Sequence, residues 1–407
     1  MSRRLSLVAF IVGLLLLVIP DMIVFYLMMP VPTSQQRDGL ELAHALYRVL
    51  WFTRSVGLLL MGASLFQSIS SGKTRVVILR SGLVAIGLLI VYILGFRFMP
   101  ENIFREPEQT IFASTDDNTV PDNSYIIGVE LNGRAKAYPL KIVGYHHKIQ
   151  DTIGKQPLLV TYCTMCRTGM VYDPVIQGKY QKFRLVGAAY NNAIIEDGET
   201  KSWWYQSTGI AGAGPLKGVA MKTNPYQQMT LSAWKQLHPN TLIMQPDPKF
   251  TNQYAKLKNY DINIPTANTD STKNKNFLPN SWVVGIMVGE KSKAFLWNEL
   301  TEKKVINDFV GDIPVVLALE EDGYSFHSWE RAIDDTILNF KMGSDNVLRD
   351  VVTNSPWNWK GECISGSFAG KKLSPVTAYQ TYYHSWERFY SDKHDKAIYS
   401  IHDELKI

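Results

Sequence analysis

Three long apolar runs occupy the first hundred residues, and they constrain this chain more than any other feature. Leu5 to Met29 is a run of 25 mostly apolar residues broken chiefly by Pro20 and Asp21. Leu50 to Ile69 is the second, with Arg54 near its start, and Val76 to Met99 the third, with Arg80 and Arg97 near its ends. As a helix, each can cross a hydrocarbon core of about 30 Å. A cleaved signal peptide is the competing reading of the first run, given Arg3 and Arg4 ahead of it. No small-x-small cleavage site follows "YLMMPVP" and two more spans do, so a retained anchor is expected. Arg54 can reach the interface with its long side chain.

Positive charge sets the orientation. Arg3 and Arg4 precede the first span, and Lys73, Arg75 and Arg80 lie at the short turn between the second and third. Arg37 and Arg48 in the first loop are accompanied by Asp38 and Glu41. This pattern predicts a multi-pass protein of the cell membrane, with its N-terminus in the cytoplasm and everything after Met99 outside. Membrane lipid is then one partner. The net charge of +5 is spread without long basic runs, so nucleic acid is not expected as another.

The remaining three hundred residues read as β-rich. Glu106 to Ser124, full of Asp, Asn, Thr and Pro, reads as a lead-in loop. "YIIGVELNGRAKAYPL" reads as two strands about the turn at Asn132 and Gly133, and "LLVTYC", "GMVYDP" and "KFRLVG" as further strands. One helix is expected around Leu231 to Leu237. The chain also matches itself without a gap: from Ile126 and from Val283, Gly128 meets Gly285, Ala137 meets Ala294, Asp151 meets Asp308, Gly154 meets Gly311 and Pro157 meets Pro314. The expected architecture is therefore a three-helix transmembrane anchor (1–100), a linker (101–124), and a mainly β, β-rich α+β extracytoplasmic domain formed by two tandem related units (125–265 and 266–407).

Such a repeat separates fold-building residues, kept in both copies, from candidate site residues, present in one. Cys163 and Cys166, in "VTYCTMCRTGMVYDP", are two of only three cysteines in 407 residues. In the second copy Cys163 becomes Glu320, and His146 and His147 become Lys303 and Lys304, so the metal-capable residues disappear together.

"VELNGRAKAYPL", His146 before "QDTIG", "VTYCTMCRTGMVYD", "ETKSWWYQSTGIAGAGPLKG" and "HPNT" resemble successive blocks of domain-of-unknown-function family 3179, a group of mainly prokaryotic, often exported or membrane-attached proteins. The blocks run from about Tyr125 to Leu242, with a weaker extension to about Ser391. The resemblance implies no settled activity. The family commonly reads Cys-Pro-x-Cys-Gly where this chain has Cys163, Thr164, Met165, Cys166 and Arg167, and His-Glu where it has His146 and His147.

Two thiolates on one turn can share a metal ion, which points to a copper or zinc centre with Cys163, Cys166 and His146 as ligands and His147 as a fourth or supporting group. Met165 and Met170 add soft sulfur that favours copper, against a plain packing role. An open coordination position would allow an oxidoreductase or a hydrolase, whereas a closed one only staples the turn. Dithiol exchange is the rival use of the same sulfurs, disfavoured because both flanks look like strands rather than the start of a helix. Copper handling without turnover and an envelope module that binds a small molecule, a sugar, a peptide or a protein remain open beside it. Trp204 and Gln206 are the candidate ligand-binding residues, with a core tryptophan as the plainer role. Asp173 and Asp197 show no catalytic spacing, His238 reads as a turn residue, and Cys363 as a small buried one. His327, His384, His394 and His402 show no ligand spacing.

Overall fold

The computed structural model describes residues 2–257, 260, 278–289 and 291–390. The expected unit boundary at 265/266, His394 and His402 lie outside them. The chain divides into two compact units, one of residues 1–105 and 180–220, the other of 106–179 and 221–407.

The first unit contains three helices long and apolar enough to cross a membrane, Arg3–Met28, Leu40–Ser70 and Thr74–Arg97. Pro20 sits inside the first of them. Apolar side chains such as Leu59, Phe66, Ile78 and Leu79 point outward, as expected of a bundle whose solvent is lipid. The first two helices meet at glycines: a Cβ on Gly13 would lie 2.6 Å from the Gly57 carbonyl oxygen, and the reverse holds. Small residues allow this backbone approach. Arg54 does not reach for the interface. It is buried and paired with Asp21, a carboxylate that the facing helix supplies. Arg80 donates to Ser6 Oγ (3.0 Å), Ser64 Oγ (2.8 Å) and Ser68 Oγ (2.7 Å), all near one end of the bundle.

The second helix starts ten residues before the apolar run that announced it. Its extra turns serve the rest of the unit, an antiparallel sheet of Phe183–Ala189, Asn192–Asp197, Trp203–Tyr205 and Ala211–Ala213. Val24, Met28, Leu40, Ala43 and Leu50 from the helices share one core with Val186, Ala189, Ile194, Trp203 and Ala213. Arg184 ties the same surfaces with bonds to Glu101, Glu196 and the Tyr47 hydroxyl. Residues 180–220 thus group with the helices and not with the strands just before them.

The second unit is built from small, mainly antiparallel sheets, with Leu242–Met244 running parallel to Arg134–Pro139. Strand Tyr125–Leu131 pairs with Arg134–Pro139 about the Asn132–Gly133 turn, the short helix Leu140–His146 follows, and strands Lys148–Ile153, Gln156–Cys163 and Thr168–Tyr172 form a three-stranded sheet. The same order returns as strands Trp282–Val288 and Lys291–Leu296, helix Trp297–Lys303, and strands Val305–Val310, Ile313–Leu319 and Phe326–Glu330. Details return with it. Lys136 and Asp151 pair at 2.7 Å, as do Lys293 and Asp308. His147 and Lys304 each cap their helix in the left-handed conformation (φ 62° and 64°). Gly128 lies under the Trp234 ring and Gly285 under that of Trp386, where any Cβ would overlap the indole.

The lead-in segment is not a free linker: Phe112–Ala113 pairs with Met244 and Ile243 and so extends the first sheet. Phe112 packs edge-on against Tyr138 under the Lys136 ammonium, which compensates for the brevity of the strand.

Candidate functional site

Cys163 ends its strand opposite Thr168, so Thr164 to Arg167 make the hairpin turn and both thiols belong to it. Both are completely buried, and they are not joined as a disulfide. The turn keeps the shape that a glycine would make easy, since Arg167 takes φ 55° in its place. Its side chain holds that conformation. The guanidinium lies 3.9 Å over the Tyr260 ring and 5.0 Å from that of Trp282, and Nη1 donates to the Tyr260 carbonyl. In return, the Tyr260 hydroxyl donates to Thr164 O (2.9 Å). Strand Ala378–Tyr382 closes the other side: Thr381 Oγ1 (3.1 Å) and Tyr382 N (3.0 Å) both donate to Cys166 O, and Thr381 Oγ1 lies 2.6 Å from Thr168 Oγ1. The cysteine turn of the first half is therefore fixed by a strand of the second.

The two histidines part company, as adjacent side chains at a helix end must. His146 Nε2 bonds the Tyr254 hydroxyl at 2.7 Å, with its ring enclosed by Tyr145, Phe250 and Tyr254. His147 instead sits beside the cysteine turn, with Nε2 3.5 Å from Thr164 Oγ1 and Nδ1 3.3 Å from Tyr145 O. Burial lowers its pKa to about 4, the bond to Tyr145 acting the other way. His147 is thus a neutral imidazole near neutral pH, the form a metal ligand takes. The same burial keeps the nearby Tyr162 hydroxyl protonated.

Among the described residues, no group of three or more His, Cys, Asp and Glu is gathered so that it could hold a metal ion. A closed four-ligand zinc site, with His146 and His147 beside both cysteines, does not fit this arrangement. What the chain does gather is two sulfurs on one turn, with His147 next to it. Met170 is core, its sulfur 3.2 Å from the Tyr226 hydroxyl, while Met165 is part-exposed at the tip of the turn.

Trp204 and Gln206 are fully buried. Trp204 Nε1 donates to Asp197 Oδ2 at 3.0 Å, and Asp197 also accepts from Thr200 and Ser202. Asp350 repeats this with Thr353, Ser355 and Trp357. Asp197 and Trp204 therefore belong to a structural knot that occurs twice. Asp173 likewise closes a turn, accepting from Val175 N and Gln156 Nε2.

His327 is the residue whose surroundings sequence reasoning passed over: it forms a carboxylate–histidine pair with Glu320 at 2.6 Å. The signal was in the internal match, which puts Glu320 opposite Cys163 and, seven places on, His327 opposite Met170.

The model of a family described as protein of unknown function (DUF3179) matches residues 105–393. No curated protein and no solved structure matches the chain.

Proposed function

The chain belongs to this family of unknown function, and from that premise we propose that it is a membrane-anchored protein whose family domain lies outside the cytoplasm and binds a soft metal ion, Cu(I) before zinc, through Cys163 and Cys166. The carrying observation is the pair of thiols presented by one rigid turn. Two thiolates suffice for near-linear Cu(I), whereas zinc asks for three or four protein ligands. Complete burial favours an ion over a protein disulfide partner, which needs an exposed sulfur to attack. His147 stands by the turn as a neutral second donor or as a hydrogen-bonding support for the sulfurs.

The orientation rests on the basic residues at the cytoplasmic ends of the spans. The recurring element order, ion pair, left-handed cap and glycine–tryptophan lock support a tandem duplication, with the cysteine turn retained in one copy. Whether the bound ion is handed on or takes part in turnover is separable by experiment: exchange without consumption of a co-substrate marks a carrier.

The test is an anaerobic competition titration of the full-length protein, in a bilayer disc, against a chromophoric Cu(I) chelator. One Cu(I) per chain, lost in Cys163→Ser/Cys166→Ser, is expected. Because both thiols must give up protons, affinity should weaken as pH falls. Equal affinity in the double variant would overturn the reading.

A further inference from the structure

A cleft lined by residues of both tandem halves is a second candidate site, which the family match does not assign. The two hairpins share a register. Thr161 stands opposite Met170, and Ala318 opposite His327; Cys163 pairs with Thr168, and Glu320 N donates to Ser325 O at the corresponding step (2.8 Å). In the first half the Met170 position is sealed by Tyr226. In the second, the His327 ring lies parallel to Trp329 (5.3 Å, 3°) and close to Trp359 (5.2 Å, 21°) and lines a cleft of about 530 Å³. That volume is in the range of small-molecule sites, roughly 300–1,000 Å³.

The chemistry of the cleft is specific. His327 Nε2 faces Glu320 Oε1 at 2.6 Å; in the tautomer that donates Nε2–H to this carboxyl oxygen, Nδ1 is the acceptor. Nδ1 is buried and has no hydrogen-bond partner, a costly state that a ligand hydroxyl would relieve. Besides His238, His327 and Tyr226, the titratable groups lining the cleft are Glu130, Lys360, Glu362 and Lys372, two acids against two bases, and Lys372 already pairs with Glu362 at 3.0 Å. The two carboxyl and two ammonium groups balance one another, so the lining offers no charge excess to select an ion. Trp359, part-exposed, supplies an aromatic surface.

We propose that this cleft binds an uncharged, hydroxyl-rich ligand, a saccharide that packs on Trp359 and donates one hydroxyl to His327 Nδ1. Glu320 acts as a positioning residue: by holding Nε2–H it fixes the tautomer that can accept.

The test is calorimetric titration of the full chain in lipid nanodiscs, since sugar-headed detergents would compete. Chitotetraose and maltotetraose are the neutral probes, and inorganic phosphate the charged one. Saturable binding of at least one neutral probe is expected, weakened about tenfold or more by His327→Gln, which still offers a donor to Glu320 but removes the Nδ1 acceptor. Trp359→Ala should weaken it similarly, with near-UV circular dichroism showing the fold intact for both. No binding of either neutral probe up to millimolar concentration, binding of phosphate instead, or unchanged affinity in His327→Gln would overturn the proposal. Cu(I) binding at Cys163 and Cys166 should be untouched by His327→Gln, so the two readings fail independently.

Discussion

The hairpin of Cys163 and Cys166 and the hairpin of Glu320 and His327 have the same register and opposite chemistry. The first is closed: its thiols are fully buried, and Thr381, Tyr382 and Tyr260 lock its turn from outside. The second faces a cleft, with an imidazole stacked beside two indoles. The difference teaches that the backbone of this unit is set by residues away from the hairpin tips, leaving the tips able to carry different groups. Those residues are the glycines beneath tryptophans and the Lys–Asp pairs, which recur in both halves.

The largest effect should come from that shared frame. Gly128→Leu and Gly285→Leu each drive a side chain into an indole ring, and each should cost about 3 kcal/mol or more in denaturant unfolding. Tolerance at one glycine only would break the equivalence of the halves.

A comparable effect, confined to acid, separates His147 from its counterpart Lys304. Burial gives His147 a folded pKa of about 4 against 6.5 in the open chain, so on acidification the unfolded state takes up the proton first. Stability should fall as pH drops from about 6.5 to 4, by on the order of 3 kcal/mol. His147→Asn, whose side chain tolerates the left-handed cap, should lose that part of the pH dependence, whereas Lys304→Asn should leave the profile as it is. Thermal melts across this range would measure both.

Smaller again is the Asp350 knot. Burial works against its charge, but bonds from Thr353, Ser355 and Trp357 outweigh it and hold the carboxyl below its usual 3.8. The stabilisation is present above that value and is lost as pH falls below it through the lowered folded-state value. Asp350→Asn should cost about 2 kcal/mol at neutral pH and flatten the acid limb. The smallest effect on stability, about 1 kcal/mol, is expected for Thr381→Val, which removes one donor to Cys166 O. Its value lies in Cu(I) affinity, which should drop in the same titration while the variant stays folded.

Much of this frame was legible in the sequence. Helix Leu231–Leu237, the strands about Asn132–Gly133 and the three apolar helices stand where alternation, turn chemistry and hydropathy put them. What was hidden depended on partners distant in the chain. Phe112–Ala113 is too short to announce itself and is a strand only because Leu242–Met244 lies beside it. The apolar composition of Phe183–Ala189 marks a strand but not that helices Arg3–Met28 and Leu40–Ser70 share its core. His146 and His147 look alike in sequence, and only the left-handed cap at the end of their helix sends one to Tyr254 and the other to Thr164. The Glu320–His327 pair is seven residues apart on a hairpin, a spacing that means nothing until the register is known.

The central claim is that the difference between the hairpins is a metal ion held by Cys163 and Cys166. The most direct measurement is elemental analysis of the full-length protein purified anaerobically from its membrane without added metal, beside Cys163→Ser/Cys166→Ser. The account predicts about one copper per wild-type chain and none in the variant. A metal-free wild-type protein with Cys163 and Cys166 joined as a disulfide would contradict it.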